Sequence, residues 1–547
     1  MSKILLTTLN ARYTHTCLAI YYLKKCLNTA GIKVDICEFT INQPLLEILQ
    51  EIAERKPDIV GFSVYIWNSK QTKLILQDIK KVLPDAKLIL GGPEVSYNPE
   101  KWIEEFPQID HIVCGAGETA LTELILHGSN EQIIGSIGRE LSEIEFPYYD
   151  LEIPDKKARY IYYESSRGCP FRCSYCLSSR SDQRLQFRGL DTVFEELDWF
   201  MKNGFVHIKF VDRTFNADAV RAREIWSYLG DKSREDIEID FHFEVHPGIL
   251  KEEDFAVLEN IPKGRFRFEI GIQSLYKPTL KAIGREMNWE FVRSNILRLE
   301  VMGNISLHLD LIAGLPHEGY EQFGKDFDEV FALQPGHLQL GFLKVLPGTE
   351  MEEKSEEYGI KYQESAPYQV LATNDISFAE LSRISVIEEL VETYYNSGRY
   401  ANFFERVMPL VKSGWEFFAG LGDYYEEQGA DLQLRKWDKC AEILARYSKT
   451  ILPEKSEFVL DCLRLDYCLQ ARGHRYPAFL EHERLDEARK RGYEYLRSLK
   501  IDDKGFLLAG EIRSGIYFLP VSEEFEDREE VRIFIGKPYR KRLITKL

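Results

Sequence analysis

Three cysteines in one short loop carry the strongest chemical signal in the chain. They lie in Arg167-Gly168-Cys169-Pro170-Phe171-Arg172-Cys173-Ser174-Tyr175-Cys176, a C-x3-C-x2-C spacing. Thiolates are soft donors that suit iron, and three of them so closely spaced can hold one face of an iron–sulfur cube. No fourth cysteine follows nearby, so one iron of a [4Fe–4S] cluster would stay open to bind something else. A zinc loop is the competing reading, although structural zinc wants four ligands with paired C-x2-C spacing. Three buried thiols without a ligand are the plainest alternative. The loop directly follows the strand-like run Ile161–Glu164. That is the end of a strand at which α/β barrels carry their active sites.

The elements around this loop alternate. Strand-like runs at Ile161–Glu164, His207–Val211, Ile239–Glu244, Arg265–Ile270, Ser306–Ile312 and His337–Phe342 are separated by helical windows. This pattern predicts a partial (β/α)6, TIM-like barrel over residues 156–350. Residues 1–145 alternate as well, with strands at Ile4–Leu6, Val34–Phe39, Ile59–Val64, Leu88–Leu90 and Ile112–Val113. The helices between them fall at Cys17–Ala30, Pro44–Glu54, Gln71–Val82 and Thr119–His127. This predicts a Rossmann-like, doubly wound parallel sheet, whose ligands lie at the carboxyl ends of its strands. Gly61, Gly91-Gly92, Gly115 and Gly117 accompany the last three strands, and they serve either a close-approaching ligand or tight turns alone. A Pro- and acid-containing stretch, Glu143 to Asp155, reads as a linker.

From residue 356 to 547 the pattern turns helical, at Leu381–Tyr395, Phe403–Tyr425, Asp438–Tyr447 and Phe458–Gln470, with strands at Gly505–Phe518 and Val531–Ile535 closing the chain. Cys462 and Cys468 read as core cysteines. The class is α/β with a mainly helical C-terminal domain.

At the cysteine loop the chain resembles the radical S-adenosylmethionine (SAM) superfamily. That family's cluster loop has the same spacing and an aromatic just before the third cysteine, here Tyr175. The resemblance extends along the barrel through Phe210-Val-Asp212-Arg-Thr-Phe215-Asn216, Phe243-Glu244-Val-His-Pro247, Glu269-Ile-Gly-Ile-Gln273-Ser274 and Asp310-Leu-Ile-Ala-Gly314-Leu-Pro316-His-Glu318. It implies a [4Fe–4S] cluster on Cys169, Cys173 and Cys176, with SAM chelated to the open iron. By similarity to the oxygen-independent coproporphyrinogen oxidase branch, Glu244, Gln273, Arg285 and Asp310 would contact SAM, with Tyr175 beside the cluster. An arginine suits the methionyl carboxylate, and acids and an amide suit the ammonium and ribose hydroxyls. His246, His308 and His317 lie near the same rim and receive no role.

Alongside such a barrel, three N-terminal stretches resemble a cobalamin-binding domain: Asp58-Ile-Val-Gly61-Phe-Ser63, Leu90-Gly91-Gly92-Pro93-Glu94-Val-Ser96-Tyr97 and Val113-Cys-Gly115-Ala-Gly117-Glu118-Thr119. The family usually has Glu where Ala116 stands. The resemblance implies that Asn10, Ala11, Arg12 and Tyr13 approach the corrin. It also implies that backbone N–H groups at Gly91, Gly92, Gly115 and Gly117 line the nucleotide tail, that Ser63 bonds the buried base, and that Glu94 and Glu118 belong to the same cobalamin site. The Asp-x-His-x-x-Gly motif that supplies a lower axial histidine is missing, and His15 is expected to be an exposed helix-start residue. The methylthiotransferase type, with a second cluster on Cys17, Cys37 and Cys114, is the runner-up for this domain. The third segment loosely resembles an uncharacterised C-terminal extension of one clostridial-type branch, which names no substrate.

Composition sets the outer bounds. The 547 residues carry 70 Lys and Arg against 88 Asp and Glu, a net charge of −18, which argues against a general nucleic-acid partner. The basic cluster Lys537, Arg540, Lys541, Arg542 and Lys546 reads as a solvated tail. No apolar run is long enough to span a membrane and no secretory leader is visible. The ten cysteines lack a disulfide pattern, which fits a reducing cytoplasmic compartment. The expected function is methylation of an unactivated carbon using both cofactors, with electrons from a flavodoxin or ferredoxin and an unknown substrate. A cyclase or C–C bond-forming enzyme without methyl transfer, and a cobalamin- or redox-sensing binding protein, remain as alternatives.

Overall fold

The N-terminal apolar runs form a six-stranded parallel sheet in the computed structural model of the chain. Its strands are β1 (Ile4–Asn10), β2 (Val34–Thr40), β3 (Ile59–Ser63), β4 (Lys87–Gly91), β5 (His111–Gly115) and β6 (Ile133–Ser136), in the order β2-β1-β3-β4-β5-β6. The structure describes residues 2–179, 184–232, 238–470, 476–483, 485–487 and 490, and the backbone of strands 516–521, 530–535 and 542–546. Every residue of β1 is buried, as expected for a strand covered on both faces. Helices α1 (Leu18–Thr29), α2 (Leu45–Glu54), α3 (Ser69–Val82), α4 (Pro93–Ser96), α5 (Pro99–Glu105) and α6 (Gly117–His127) connect the strands. Ile48, Ile52, Ile75, Ile79, Trp102 and Phe106 pack on Leu5, Leu9, Val60, Phe62, Leu88 and Leu90 in one core. Strand β6 and the short helices α4 and α5 go beyond the sequence reading, since four to seven residues are too few to show a period.

The stretch expected to be a linker is packed instead. Ile144, Phe146, Tyr148 and Ile153 are 0–5% exposed, while Glu143, Glu145, Asp150 and Glu152 between them face solvent. Its composition reads as a linker because the acids alternate with the buried residues. The Phe146 ring meets those of Tyr148, Tyr149, Tyr163, Trp199 and Phe200.

The second sheet has the order β14-β13-β12-β11-β10-β7. It is built from β7 (Tyr160–Tyr163), β10 (His207–Phe210), β11 (Asp240–Glu244), β12 (Phe266–Gln273), β13 (Ile305–Ala313) and β14 (His337–Phe342). The sequence predicts all six, and their sequential order is that of a partial barrel. A short antiparallel pair, β8 (Ser166–Arg167) and β9 (Gln186–Phe187), flanks the cysteine loop. Helices α7 (Leu190–Lys202), α8 (Ala219–Lys232), α9 (Glu252–Leu258), α10 (Lys277–Ala282), α11 (Trp289–Met302) and α12 (Tyr320–Phe331) complete the βα steps. Past β14 come α13 (Glu350–Glu353) and a small hairpin, β15 (Lys361–Tyr362) with β16 (Val370–Ala372). Period-2 alternation divides β12 cleanly: Phe266, Phe268, Ile270 and Ile272 are buried, and Arg267, Glu269, Gly271 and Gln273 are part-exposed on the other face. Strand β13 does the same with Leu307, Leu309 and Leu311 against His308 and Asp310.

The open edge of β7 is covered by the β1–α1 loop. Tyr160 N–H donates to Thr14 O at 2.7 Å, and Thr16 Oγ1 donates to Tyr160 O at 2.9 Å. His15, expected to be exposed, is half-buried and stacks on Tyr160 and Tyr162 at 5.8 and 6.0 Å. The reason is the edge itself, since the loop that caps it carries His15 onto the strand.

Two compact units result: Met1–Asp326 with Leu333–Gly336 and Leu340–Leu381, and Phe327–Ala332 with His337–Gln339 and Ser382–Leu547. Helix α14 (Phe378–Leu390) crosses the division, and the second unit adds α15 (Ala401–Val407), α16 (Gly414–Glu427), α17 (Trp437–Ile451) and α18 (Ser456–Gln470). The predicted helix Phe403–Tyr425 breaks in two because Pro409 lacks an N–H and Ser413 caps a new start, accepting from Glu416 N at 3.0 Å. Cys462 and Cys468 are buried in α18, as expected. Strands β17 (Ile516–Val521), β18 (Glu530–Ile535) and β19 (Arg542–Lys546) form an antiparallel sheet. Residues 505–515 of the predicted strand, and Lys537, Arg540 and Lys541 of the basic cluster, lie outside the described residues. Arg542 and Lys546 begin and end β19 rather than forming a tail. Among the described residues, no helix is long and apolar enough to cross a membrane.

If residues 143–155 are part of the core, Phe146→Ala should cost about 3–5 kcal/mol in chemical denaturation. A loss below about 0.5 kcal/mol would return the segment to the status of a linker.

Candidate functional site

The cysteine loop is held at both ends. Gly168 has φ +92, and a Cβ there would lie 2.6 Å from Arg184 O, so only glycine makes the turn into the loop. Ser174 N donates to Ile283 O at 3.0 Å, and Met351 N donates to Ser174 O at 2.9 Å, tying the loop's far end to the α10 terminus and the start of α13. Beneath it, buried Asp212 accepts from Ser165 N (2.9 Å), Ser165 Oγ (2.6 Å) and Ser166 Oγ (2.7 Å), and burial pushes its carboxyl up to about 6. Cys169 Sγ lies 3.6 Å from Thr214 Oγ1, and Arg285 Nη1 donates to Cys173 Sγ at 3.7 Å. Tyr175 also approaches Cys173, and burial raises the Cys176 thiol. None of the ten cysteines is in a disulfide. Among the described residues no three His, Cys, Asp or Glu side chains surround a single ion. A cube does not require that arrangement, since each thiolate binds a different iron.

The polar face of the barrel strands leads away from this loop. Register sets Glu244 beside Glu269 and Gly271 beside Asp310, and Arg285 Nη2 donates to Gly271 O. Arg285 thereby ties Cys173 to β12, with Gln273 two residues past Gly271. Burial, reinforced by Glu269 and Glu244, pushes the Asp310 carboxyl up to about 8. Burial also raises Glu244, opposed by Arg213, whose Nη1 is 3.8 Å away. Three buried polar atoms here have no hydrogen-bond partner: Gln273 Oε1, Asp310 Oδ1 and Arg285 Nε. Buried polar groups are rarely left so. An amide oxygen, a carboxyl oxygen and a guanidinium N–H beside a thiol suit an amino-acid-bearing, ribose-bearing ligand, so these residues fit SAM. Of the five residues expected to contact SAM, Tyr175 and Arg285 reach Cys173, and Glu244, Gln273 and Asp310 lie on the neighbouring strands β11, β12 and β13.

Sequence reasoning passed over the layer below. Lys209 Nζ and His242 Nε2 lie 2.9 and 2.8 Å from Glu269 Oε2. Burial works to raise Glu269, but these two donors hold it well below the usual carboxylate range. The available signal was the period-2 placement of polar residues on strands that otherwise read as apolar. Phe171 stacks on His246 at 4.6 Å, and His246 Nδ1 accepts from Gly248 N, the loop role expected of it.

The N-terminal residues lie at the carboxyl ends of β1, β3, β4 and β5, and β1 and β3 flank the topological switch point of the sheet. Gly92 has φ +109, and a Cβ would stand 2.5 Å from Val64 O, which leaves bare backbone at the end of β4. Such a rim without side chains fits a large, flat ligand such as cobalamin. The individual side chains are engaged within the protein. Asn10 Nδ2 donates to His15 O and Glu38 Oε1, both at 3.0 Å, and Tyr13 OH donates to Asp155. Ala11 and Arg12 continue the same loop. Ser63 neighbours Cys17 and Tyr65. Glu94 Oε1 accepts from Ser69 Oγ (2.9 Å) and Tyr368 OH (2.6 Å). Glu118, one residue past Gly117, pairs with Arg167 at 2.9 Å, and Arg167 also pairs with Glu164 at 2.8 Å. Cys37 and Cys114 sit within β2 and β5 and are separated by four inter-strand steps, roughly 19 Å. With Cys17 they cannot share one cluster.

Comparison with known proteins agrees with this geometry. Residues 4–125 match the B12 binding domain, residues 163–330 the radical SAM superfamily, and residues 356–509 a protein of unknown function, DUF4080. The cobalamin-dependent radical SAM methyltransferase TokK of Streptomyces tokunonensis is 24% identical over 368 residues, 58% of this chain and 51% of that protein. An uncharacterised methyltransferase, PH0819 of Pyrococcus horikoshii, is 25% identical over 334 residues, 56% and 71%. The chain thus spans about half the length of TokK. The structure of TsrM from Kitasatospora setae with cobalamin and a [4Fe–4S] cluster superposes with a TM-score of 0.55 at 19% identity, covering 67% of this chain and 76% of that one. That of OxsB with aqua-cobalamin and SAM gives 0.59 at 13%, covering 85% and 80%. The chain therefore joins a B12 binding domain to a radical SAM domain, and the cofactors these domains take are cobalamin, SAM and a [4Fe–4S] cluster.

Asp310 offers a pH test. Its folded carboxyl is raised, so the stability it lends is full below the ordinary value near pH 4 and is lost as pH rises through about 8. Apoprotein should therefore lose stability relative to its Asp310→Asn variant by roughly 1.4 kcal/mol per pH unit across that window, then level off. Urea unfolding of both proteins measures this, and a flat difference would mean a solvated carboxylate.

Proposed function

We propose that this chain, homologous to cobalamin-dependent radical SAM methyltransferases, methylates an unactivated carbon of a substrate its motifs do not name. The observation that carries the reading is the Glu118–Arg167 ion pair. It joins the strand-end loop proposed for cobalamin to the loop proposed for the cluster, two residues before Cys169. A radical centre and a methyl donor can act on one carbon only if their sites open toward each other, and strand-end loops in contact support that. Cobalamin on residues 1–145, SAM chemistry on 156–350 and a further domain at 356–547 is the division that goes with it.

When bound, the cluster, SAM and cobalamin together supply reductive SAM cleavage, hydrogen abstraction from carbon and a transferable methyl group. The chain's own residues would do the rest. Cys169, Cys173 and Cys176 would hold three irons and leave one open. Arg285, fixed by Gly271 O and aimed past Cys173, would pair with the methionyl carboxylate. Gln273 and Asp310 would bring their unpartnered oxygens to the ammonium or the ribose, with Glu244 and Tyr175 alongside. A protonated Asp310 can donate to a ribose hydroxyl as well as accept. On the other side, Asn10 to Tyr13, Ser63, Gly91, Gly92, Glu94, Gly115, Gly117 and Glu118 would frame cobalamin. The electron donor would be a flavodoxin or ferredoxin, and the setting cytoplasmic.

Anaerobic reconstitution tests the reading. The purified protein should be brown with about four irons per chain, as one such cluster requires. Cys169→Ala, Cys173→Ala and Cys176→Ala should each lose them, together with 5′-deoxyadenosine formation from SAM. With methyl-deuterated SAM and an anaerobic extract of the source cells, the label should enter a carbon-bound methyl group. Iron and sulfide retained by the triple alanine variant would defeat the cluster assignment. A 5′-deoxyadenosine-dependent product without label would favour ring or C–C bond formation.

A further inference from the structure

Gln273 ends β12 in an unusual posture. Its φ is +73, and the ladder to β13 slips there, with Gly271 opposite Asp310 and Gln273 opposite Leu311. Glutamine is seldom left-handed, so something must hold this corner. The next residue, Ser274, is fully buried, and its hydroxyl has three polar neighbours. Tyr276 N–H donates to it at 3.0 Å, Asp326 Oδ2 lies 3.0 Å away, and Glu318 Oε1 is closer still. Glu318 and Asp326 are 1% and 2% exposed.

A hydroxyl has one proton and two lone pairs. Tyr276 N–H takes one lone pair, and the hydroxyl proton can reach only one of the two carboxyl groups. The other must donate. Asp326 is not the donor, because Oδ2 accepts Leu275 N–H at 2.6 Å and Oδ1 accepts Gln322 Nε2 at 2.8 Å. Glu318, by contrast, accepts from no N–H among the described residues, and its close polar neighbours are Ser274 Oγ and the Asp326 carboxyl, as suits a neutral acid.

We propose that Glu318 is a neutral carboxylic acid that donates to Ser274 Oγ, while Ser274 donates to ionised Asp326, and that this relay is a positioning device locking Gln273 in its left-handed corner. Burial, with the Asp326 charge beside it, drives the Glu318 carboxyl well above its ordinary range, in keeping with the proton placement. The consequence for SAM rests on the role given to Gln273 above; the proton assignment stands on the hydrogen bonds alone.

Charge removal should therefore act asymmetrically. Glu318→Gln keeps an N–H donor toward Ser274 and should leave the SAM KM for 5′-deoxyadenosine formation within about twofold of the parent. Glu318→Ala removes the donor, and Asp326→Asn turns an acceptor toward Leu275 or Gln322 into a donor. Both should raise the SAM KM about tenfold while changing kcat less. A purely structural role would instead lower Tm in all three variants without splitting KM from kcat. Infrared difference spectra of reconstituted wild type minus Glu318→Gln should show loss of one protonated-carboxyl band. The proposal is overturned if Glu318→Gln behaves like Glu318→Ala, or if that band survives in Glu318→Gln. If Gln273→Ala leaves the SAM KM unchanged, it is the SAM role of Gln273 that fails, and the infrared result still decides where the proton sits.

Discussion

A parallel sheet that stops at six strands leaves an edge, and the covering of that edge organises the first unit. Unpaired backbone groups on β7 would be exposed along the barrel's flank, a position that sheet proteins do not leave bare. Here the β1–α1 loop supplies the missing partners: Thr14 and Thr16 bond Tyr160, and Arg159 Nη2 donates to His15 O at 2.6 Å. The sheet and the barrel therefore share hydrogen bonds where two domains on a flexible tether would not. The packed strap of residues 143–155 follows from the same arrangement, since its aromatic side chains fill the space between β7 and α7. With the edge closed this way, strand ends of the first sheet come to the cysteine loop, and Glu118 reaches Arg167.

The second feature is the polarity of the barrel's inner face. Most barrels fill the interior with branched apolar side chains. Here Lys209, His242, Glu244, Glu269, Gln273 and Asp310 occupy it, while the phenylalanines of β10, β11 and β12 face the helices. Carboxyl groups in such a place must be paired, protonated or matched to a ligand. Glu269 is paired with Lys209 and His242 and Asp310 is raised toward neutrality, while the neighbouring amide of Gln273 keeps an unused oxygen. Satisfied and unsatisfied groups thus share one face, and Arg285 links its β12 end to Cys173 through Gly271 O.

The second unit is built on different physics. Phe327, Phe331, Phe404, Phe417, Phe418 and Trp415 form an aromatic core. Its buried polar groups are structural: Asp466 caps α15 by accepting Asn402 N and Phe403 N at 3.0 and 3.1 Å, and Arg464 pairs with Asp461 at 2.8 Å. Asp466, Arg464 and Asp461 are thus each paired, in contrast to Asp310 in the barrel.

Much of this was readable from one sequence because it is local. The C-x3-C-x2-C loop, the six barrel strands and five of the six N-terminal strands follow from spacing and short-range periodicity, which neighbouring residues alone determine. The resemblance they carry also led to the residues expected to bind SAM, two of which, Glu244 and Gln273, end their strands among recognisable neighbours. The misreadings share a cause. His15 looked exposed and residues 143–155 looked like a linker because the groups that bury them, Tyr160 and Tyr162 in one case and Trp199 and Phe200 in the other, are distant in sequence. The proton on Glu318 has the same origin. Asp326 and Glu318 carry no signal of their own, and only folding brings both to the single hydroxyl of Ser274. Local sequence determined which elements form and where a cluster can be held. The tertiary structure decided which polar groups are buried together, and so which are charged, which are neutral and which remain open to a ligand.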